Sequence, residues 1–306
     1  MKSAVNTTTG IGYAIAAFLS WGILPLYWKA LKHVGALQIL AHRFIWSFIL
    51  VALLLTCLGQ WKSLKIVLTQ PKKLAAVMIG SILVCANWGI YIWAVNTNHM
   101  VDASLGYYIN PLLSVALGML ILRERLNICQ WAALGIAIAG VLFLTFEYGK
   151  IPWIALALAM TFGFYGLVKK MAGIEAIVGL ALETAFLIPL AVGYLLWMEH
   201  LGSGVFGHGT WPVNLLLMGA GVVTALPLLW FSRATQTVPL SIVGFTQYLT
   251  PTMTLILGLF LYHEPFTMIQ LLGFGFIWVA LVIFSWSQWQ LMQDGYSKGM
   301  PKVISE

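Results

Sequence analysis

Two ionisable side chains stand inside long apolar stretches, Arg43 within residues 39–58 and Glu183 within residues 174–197. A charge held in an apolar layer is costly unless it is paired, hydrated or used, so such residues point first to a pathway for a substrate or an ion. Arg43 suits an anionic or carbonyl-bearing substrate. Glu183 suits a cationic group or a coupling proton. A structural ion pair between the two, or an Arg43 that snorkels outward beside His42, would explain the same residues without transport. A second set joins amides and phenols to indoles: Asn87, Trp88 and Tyr91, then Tyr107, Tyr108 and Asn110, then Gln247 and Tyr248. Rings supply contact area and a few amides fix orientation, which is the chemistry of a cavity for a semi-polar organic molecule. The same residue types also form interfacial belts and interhelical hydrogen bonds.

Other chemistries find little support. Cys57, Cys85 and Cys129 have no paired spacing, and His99, His200 and His208 have no ligand spacing, so no metal is expected. There is no His-Glu-x-x-His motif and no phosphate-binding P-loop, and Asp102 and Asp294 are the only aspartates. No cofactor is called for, and any energy must come from a gradient, with protons the coupling candidate. A lipid-modifying enzyme built on His42, Arg43 and Glu183, or a non-transporting receptor, stays open as an alternative on the residues alone.

The elements that must position these groups are membrane helices. Of 306 residues, 61% are hydrophobic and 8% charged, with mean hydropathy +0.92, far from the roughly one-quarter charged residues of soluble domains. The net charge of +7 is scattered between apolar runs instead of forming a stripe, which argues against nucleic acid and for a role in topology. Ten spans are expected, at 10–28, 39–58, 74–95, 101–122, 128–146, 152–168, 174–197, 213–232, 240–261 and 266–288. The first is too long for a signal peptide and carries Pro25. With a cytoplasmic N-terminus, twelve Lys and Arg fall inside and three outside, so both termini are expected in the cytoplasm.

The chain also repeats itself. Tyr108, Pro111, Gly118, Glu124, Gln130 and Gly135 recur 140 residues later as Tyr248, Pro251, Gly258, Glu264, Gln270 and Gly275. Ser20, Gly22 and Lys29 recur at 141 as Thr161, Gly163 and Lys170, and Asn87 and Trp93 at 137 as Thr224 and Trp230. Arg43 and Glu183 are themselves 140 apart. Each unit has five crossings, an odd number, so the second copy must enter the membrane inverted. That architecture recurs in transporters that open one central site alternately to either side. The expected units are 8–148 and 149–290, followed by a cytoplasmic tail at 291–306. Pro111 and Pro251 are the hinge candidates, Gly118 and Gly258 are read as packing sites, and Glu124 and Glu264 as N-terminal caps of the fifth and tenth spans.

Two five-helix units carrying Tyr-x-x-Pro-x6-Gly-x5-Glu resemble the drug/metabolite transporter superfamily and its EamA domains over nearly the whole chain. Residues 41–47, 87–96 and 105–112 are similar to the RarD-like subfamily of permeases. The resemblance implies a bacterial inner-membrane permease or exporter for small organic molecules such as metabolites, amino acids or drugs, in a subfamily named for chloramphenicol sensitivity.

Overall fold

The computed structural model describes residues 2–96, 99–148, 152–261 and 268–299, and these hold helices and no strands. In chain order the helices are α1 (Lys2–Ala30), α2 (Ala36–Cys57), α3 (Trp61–Leu68), α4 (Pro71–Asn96), α5 (Met100–Leu120) and α6 (Ile128–Tyr148). They are followed by α7 (Trp153–Ala172), α8 (Ala176–His200), α9 (Trp211–Thr237), α10 (Leu240–Thr246), α11 (Leu249–Leu261) and α12 (Met268–Gly299). Among the described residues nine segments are long and apolar enough to cross a membrane, and Leu105–Leu120 within α5 is a shorter apolar helix. Large apolar side chains face outward as freely as inward. Ile128 is 87% exposed and Leu120 80%, while Tyr165, Phe231 and Tyr248 are fully buried. A soluble protein would not present such a surface; a bilayer accepts it, because each helix satisfies its own backbone hydrogen bonds.

The largest packings join helices from different halves of the chain: α5 with α7, α6 with α12, α2 with α8 and α9, α1 with α9 and α11, α4 with α7, and α5 with α10. Small residues make the closest of these approaches possible, as expected where lipid removes the hydrophobic drive to associate. A Cβ on Gly221 of α9 would lie 2.3 Å from the Trp46 carbonyl carbon of α2 and 2.6 Å from the Ser47 nitrogen. The Ser47 hydroxyl donates to the Gly221 carbonyl at 3.0 Å across the same contact. The obstacle is backbone, which cannot rotate aside. Gly221→Ala is therefore expected to destabilise the protein by about 1–3 kcal/mol, read as an earlier thermal transition in detergent; an unchanged transition would show that α2 and α9 separate freely.

The ninth expected span is not one continuous helix. α10 ends at Thr246 and α11 begins at Leu249, with Gln247 and Tyr248 between them. Pro251 accordingly sits in the first turn of α11, where proline is tolerated because that turn needs no amide donor. Pro111, by contrast, lies mid-helix in α5 and frees the carbonyl of Tyr107 from the helical ladder.

Candidate functional site

These helices form a cavity that is open on one side. α1 contributes Trp21 and Trp28, α2 Arg43, α4 Asn87, Trp88 and Tyr91, and α5 Tyr107 and Asn110. From the second half come Phe162 of α7, Gln247 at the break and Thr250 of α11. Two spacings explain the wall. Asn87 and Tyr91 are one turn apart, and Trp21 and Trp28 two turns apart, so each pair shares a helix face.

Arg43 dominates the electrostatics. Its Nε donates to Thr224 Oγ1 of α9 at 2.9 Å. The guanidinium carbon stands 3.9 Å from the centre of the Trp88 ring and 4.9 Å from that of Trp28. Trp88 is held in turn by stacking on Phe44 at 5.5 Å. Among the described residues the cation is thus supported by two ring faces and the Thr224 hydroxyl, and by no carboxylate. Asn87 is committed on one side, its Nδ2 donating to the Leu158 carbonyl and to Thr161 Oγ1, both at 2.9 Å. Gln247 donates from Nε2 to Ser114 Oγ at 3.0 Å. Buried acceptors without a partner among the described residues remain on Asn110 (Oδ1) and Gln247 (Oε1).

Six of the eight residues expected to bind substrate, Arg43, Asn87, Trp88, Tyr91, Asn110 and Gln247, line this one cavity. Tyr108 and Glu183 do not. Neighbouring residues on a helix point about 100° apart, and α5 turns Tyr107 into the cavity while Tyr108 packs edge-on against Phe274 of α12 at 5.3 Å. The Tyr108 carbonyl accepts from the Tyr248 hydroxyl at 3.2 Å, so the two repeated tyrosines meet each other. Glu183 is not Arg43's partner either. Its Oε1 lies 2.8 Å from Lys169 Nζ, and its Oε2 accepts from Tyr165 at 3.1 Å. Lys169 had looked like a surface topology charge, yet its side chain is only 7% exposed. The spacing of 141 that relates Ser20 to Thr161 also relates Trp28 to Lys169. At matching positions, then, a ring supports Arg43 and an ammonium neutralises Glu183. A small void bounded by Trp88, Thr224 and Leu187 reaches from Arg43's supports to Glu183, and another continues past Lys169 to Gly179. His42 is buried against Phe206, 5.0 Å between ring centres, so it shares no site with Arg43 or Glu183.

Glu124 does cap a helix, but not the expected one. α6 is opened by Asn127 and Gln130, each side chain accepting from the other's backbone N–H at 2.8–3.0 Å. Glu124 instead reaches across to the second half, where Oε1 accepts from the Leu240 N–H at 2.6 Å and Oε2 from Ser241 at 2.9 Å. A left-handed Arg123 (φ 57°) turns the chain back, and Gly118 leaves the space: a Cβ there would stand 2.6 Å from Glu124 Oε2. The Gly-x5-Glu spacing is therefore a seat for a carboxylate. Lys170 secures the same corner, donating to the carbonyls of Thr235 at 3.1 Å and Val238 at 2.6 Å. Glu264, the repeat of Glu124, lies outside the described residues.

Known proteins resemble the chain over most of its length. The model of the EamA-like transporter family matches residues 8–146 and again 150–286. A Bacillus subtilis protein named as the uncharacterized transporter YojE is 49% identical over 287 residues, 92% of this chain and 95% of the relative. Protein RarD of Escherichia coli is 43% identical, covering 92% of this chain and 95% of its own. A crystal structure with 17% identity superposes at a TM-score of 0.67 over 90% of this chain and 97% of that one, a likeness of fold.

Proposed function

Since the chain belongs to the EamA-like transporter family and is a multi-pass membrane transporter, we propose that it carries small organic molecules through the bacterial inner membrane by alternating access. The substrate binds in the main cavity against Arg43, Trp88, Asn87, Tyr91, Asn110 and Gln247. The observation that carries this reading is an intramembrane cation facing an aromatic cavity, with no carboxylate among the described residues that line it. A side chain so costly to keep in a membrane, supported by two ring faces and one hydroxyl, is placed for a ligand.

Two inverted five-helix units, 8–148 and 149–290, with both termini cytoplasmic, supply the alternation. Support comes from the cross-half packing of α1 on α9 and α4 on α7, and from the matched positions of Trp28 with Lys169 and Arg43 with Glu183. Glu183, which shares a small void with Trp88 and Thr224, is the proton-coupling candidate. Uptake and efflux in proteoliposomes, using labelled amino acids and chloramphenicol with and without a proton gradient, test the proposal. Saturable movement that is lost in Arg43→Ala is the expected result; movement indifferent to Arg43 would overturn the assignment of the cavity.

A further inference from the structure

The charge balance of the cavity narrows what it selects. Arg43 is the one charged residue among the described residues that line it; the rest are aromatic, aliphatic, amide or hydroxyl. Glu183, the acid that shares a small void with Trp88 and Thr224, is already neutralised by Lys169. Arginine stays ionised even where water is scarce, so the described residues of the cavity carry one unbalanced positive charge. Its guanidinium is fixed in plane by Trp28 and Trp88 and tied at Nε to Thr224, while the two terminal nitrogens have no hydrogen-bond partner among the described residues. That is a fork presented end-on, and a carboxylate fills it with two parallel hydrogen bonds.

A ligand ammonium fares differently. Two of the three lining tryptophans, Trp28 and Trp88, already hold Arg43, and no acid among the described lining residues offsets its repulsion of a second cation. Beyond the fork the walls are Trp21, Phe162, Tyr91 and Tyr107, with Trp21 and Phe162 edge-to-face at 5.6 Å and Tyr91 and Tyr107 at 6.2 Å. They favour a flat ring system. We propose that the cavity selects planar aromatic monocarboxylates that carry no cationic group. Movement of such an anion rests on the transporter reading above, but its binding does not.

Four compounds that share one indole ring and differ in the charge of the side chain test this on the full chain in lipid nanodiscs, with binding read by calorimetry: indole-3-acetate, L-tryptophan, tryptamine and indole. Indole-3-acetate is expected to bind at least about tenfold more tightly than the other three, the range of one charge-assisted hydrogen bond. Arg43→Met should abolish that preference and Arg43→Lys should keep part of it; if the variants fail to fold, the wild-type ranking decides. Equal binding of all four, binding of none, or preference for tryptophan or tryptamine overturns the proposal. Such a preference would be traced by Asp102→Asn, since Asp102, whose side chain lies outside the described residues, is one turn from Gly106. Counterflow in proteoliposomes separates the two claims. An anion bound through Arg43 but not moved keeps this proposal and sinks the transporter reading, whereas a moved zwitterion does the reverse.

Discussion

Lys169→Met and Glu183→Met are each expected to destabilise the protein by about 3–5 kcal/mol, and the double variant to recover most of that loss. The pair is 2.8 Å apart with both side chains at least nine-tenths buried, and α4 closes the site, since the Ser81 hydroxyl meets the Glu183 carbonyl at 3.3 Å and a Cβ on Gly80 would lie 3.1 Å from Glu183 Oε1. Removing one partner strands the other as an uncompensated charge in an apolar layer. Removing both leaves apolar side chains of similar volume and one orphaned Tyr165 hydroxyl, a cost of about 1–3 kcal/mol. Thermal unfolding of the three variants in detergent provides the cycle. Single variants as stable as the double would mean that the charges are solvated, not paired. The double variant also decides the coupling role: if Glu183 carries the proton, transport in that background no longer responds to an imposed proton gradient, and an intact response would place coupling elsewhere.

Much of this was legible in the residues, and the misses share a cause. Hydropathy located the spans, because a bilayer demands long apolar helices, and the cost of an intramembrane charge singled out Arg43. Six binding candidates converged because amides and rings at helical spacing have few other uses in such helices. Tyr107 and Tyr108 were both named, but adjacent residues on one helix cannot share a face, and only the rotation of α5 against α7 and α12 chooses between them. Lys169 was read as a topology charge because it adjoins Lys170 at the end of a span. Its relation to Trp28 through the repeat, opposite an acid that needed a counter-ion, was the signal that could have placed it. Trp21, Trp28 and Phe162 were passed over, since aromatic residues in apolar helices are ordinarily packing. Thr224 was paired with Asn87 by the repeat, but its hydrogen bond to Arg43 crosses 181 residues and no local rule reaches it.

The same long reach underlies the second large effect. Glu124→Ala is expected to free the N-terminal end of α10, raising its local opening by roughly 30- to 150-fold, the equivalent of about 2–3 kcal/mol for a charge-assisted contact. Both carboxylate oxygens are engaged, at 2.6 and 2.9 Å, and no side chain of α10's own caps those amides. α10 is seven residues, about 10 Å of helix, with Glu124 at one end and the cavity residue Gln247 at the other. A short rigid rod clamped at its far end holds Gln247 against Ser114. Released there, it is free to carry Gln247 out of the cavity wall, so the clamp couples the binding site to the face where Lys170 and Glu124 meet. Hydrogen exchange of the 240–246 amides should rise in Glu124→Ala and less in Glu124→Gln, which keeps one acceptor without the charge. Exchange confined to wild-type rates in both would show that α10 is held by its packing on α5, where a Cβ on Gly244 would sit 2.9 Å from the Pro111 carbonyl, and that the clamp is incidental.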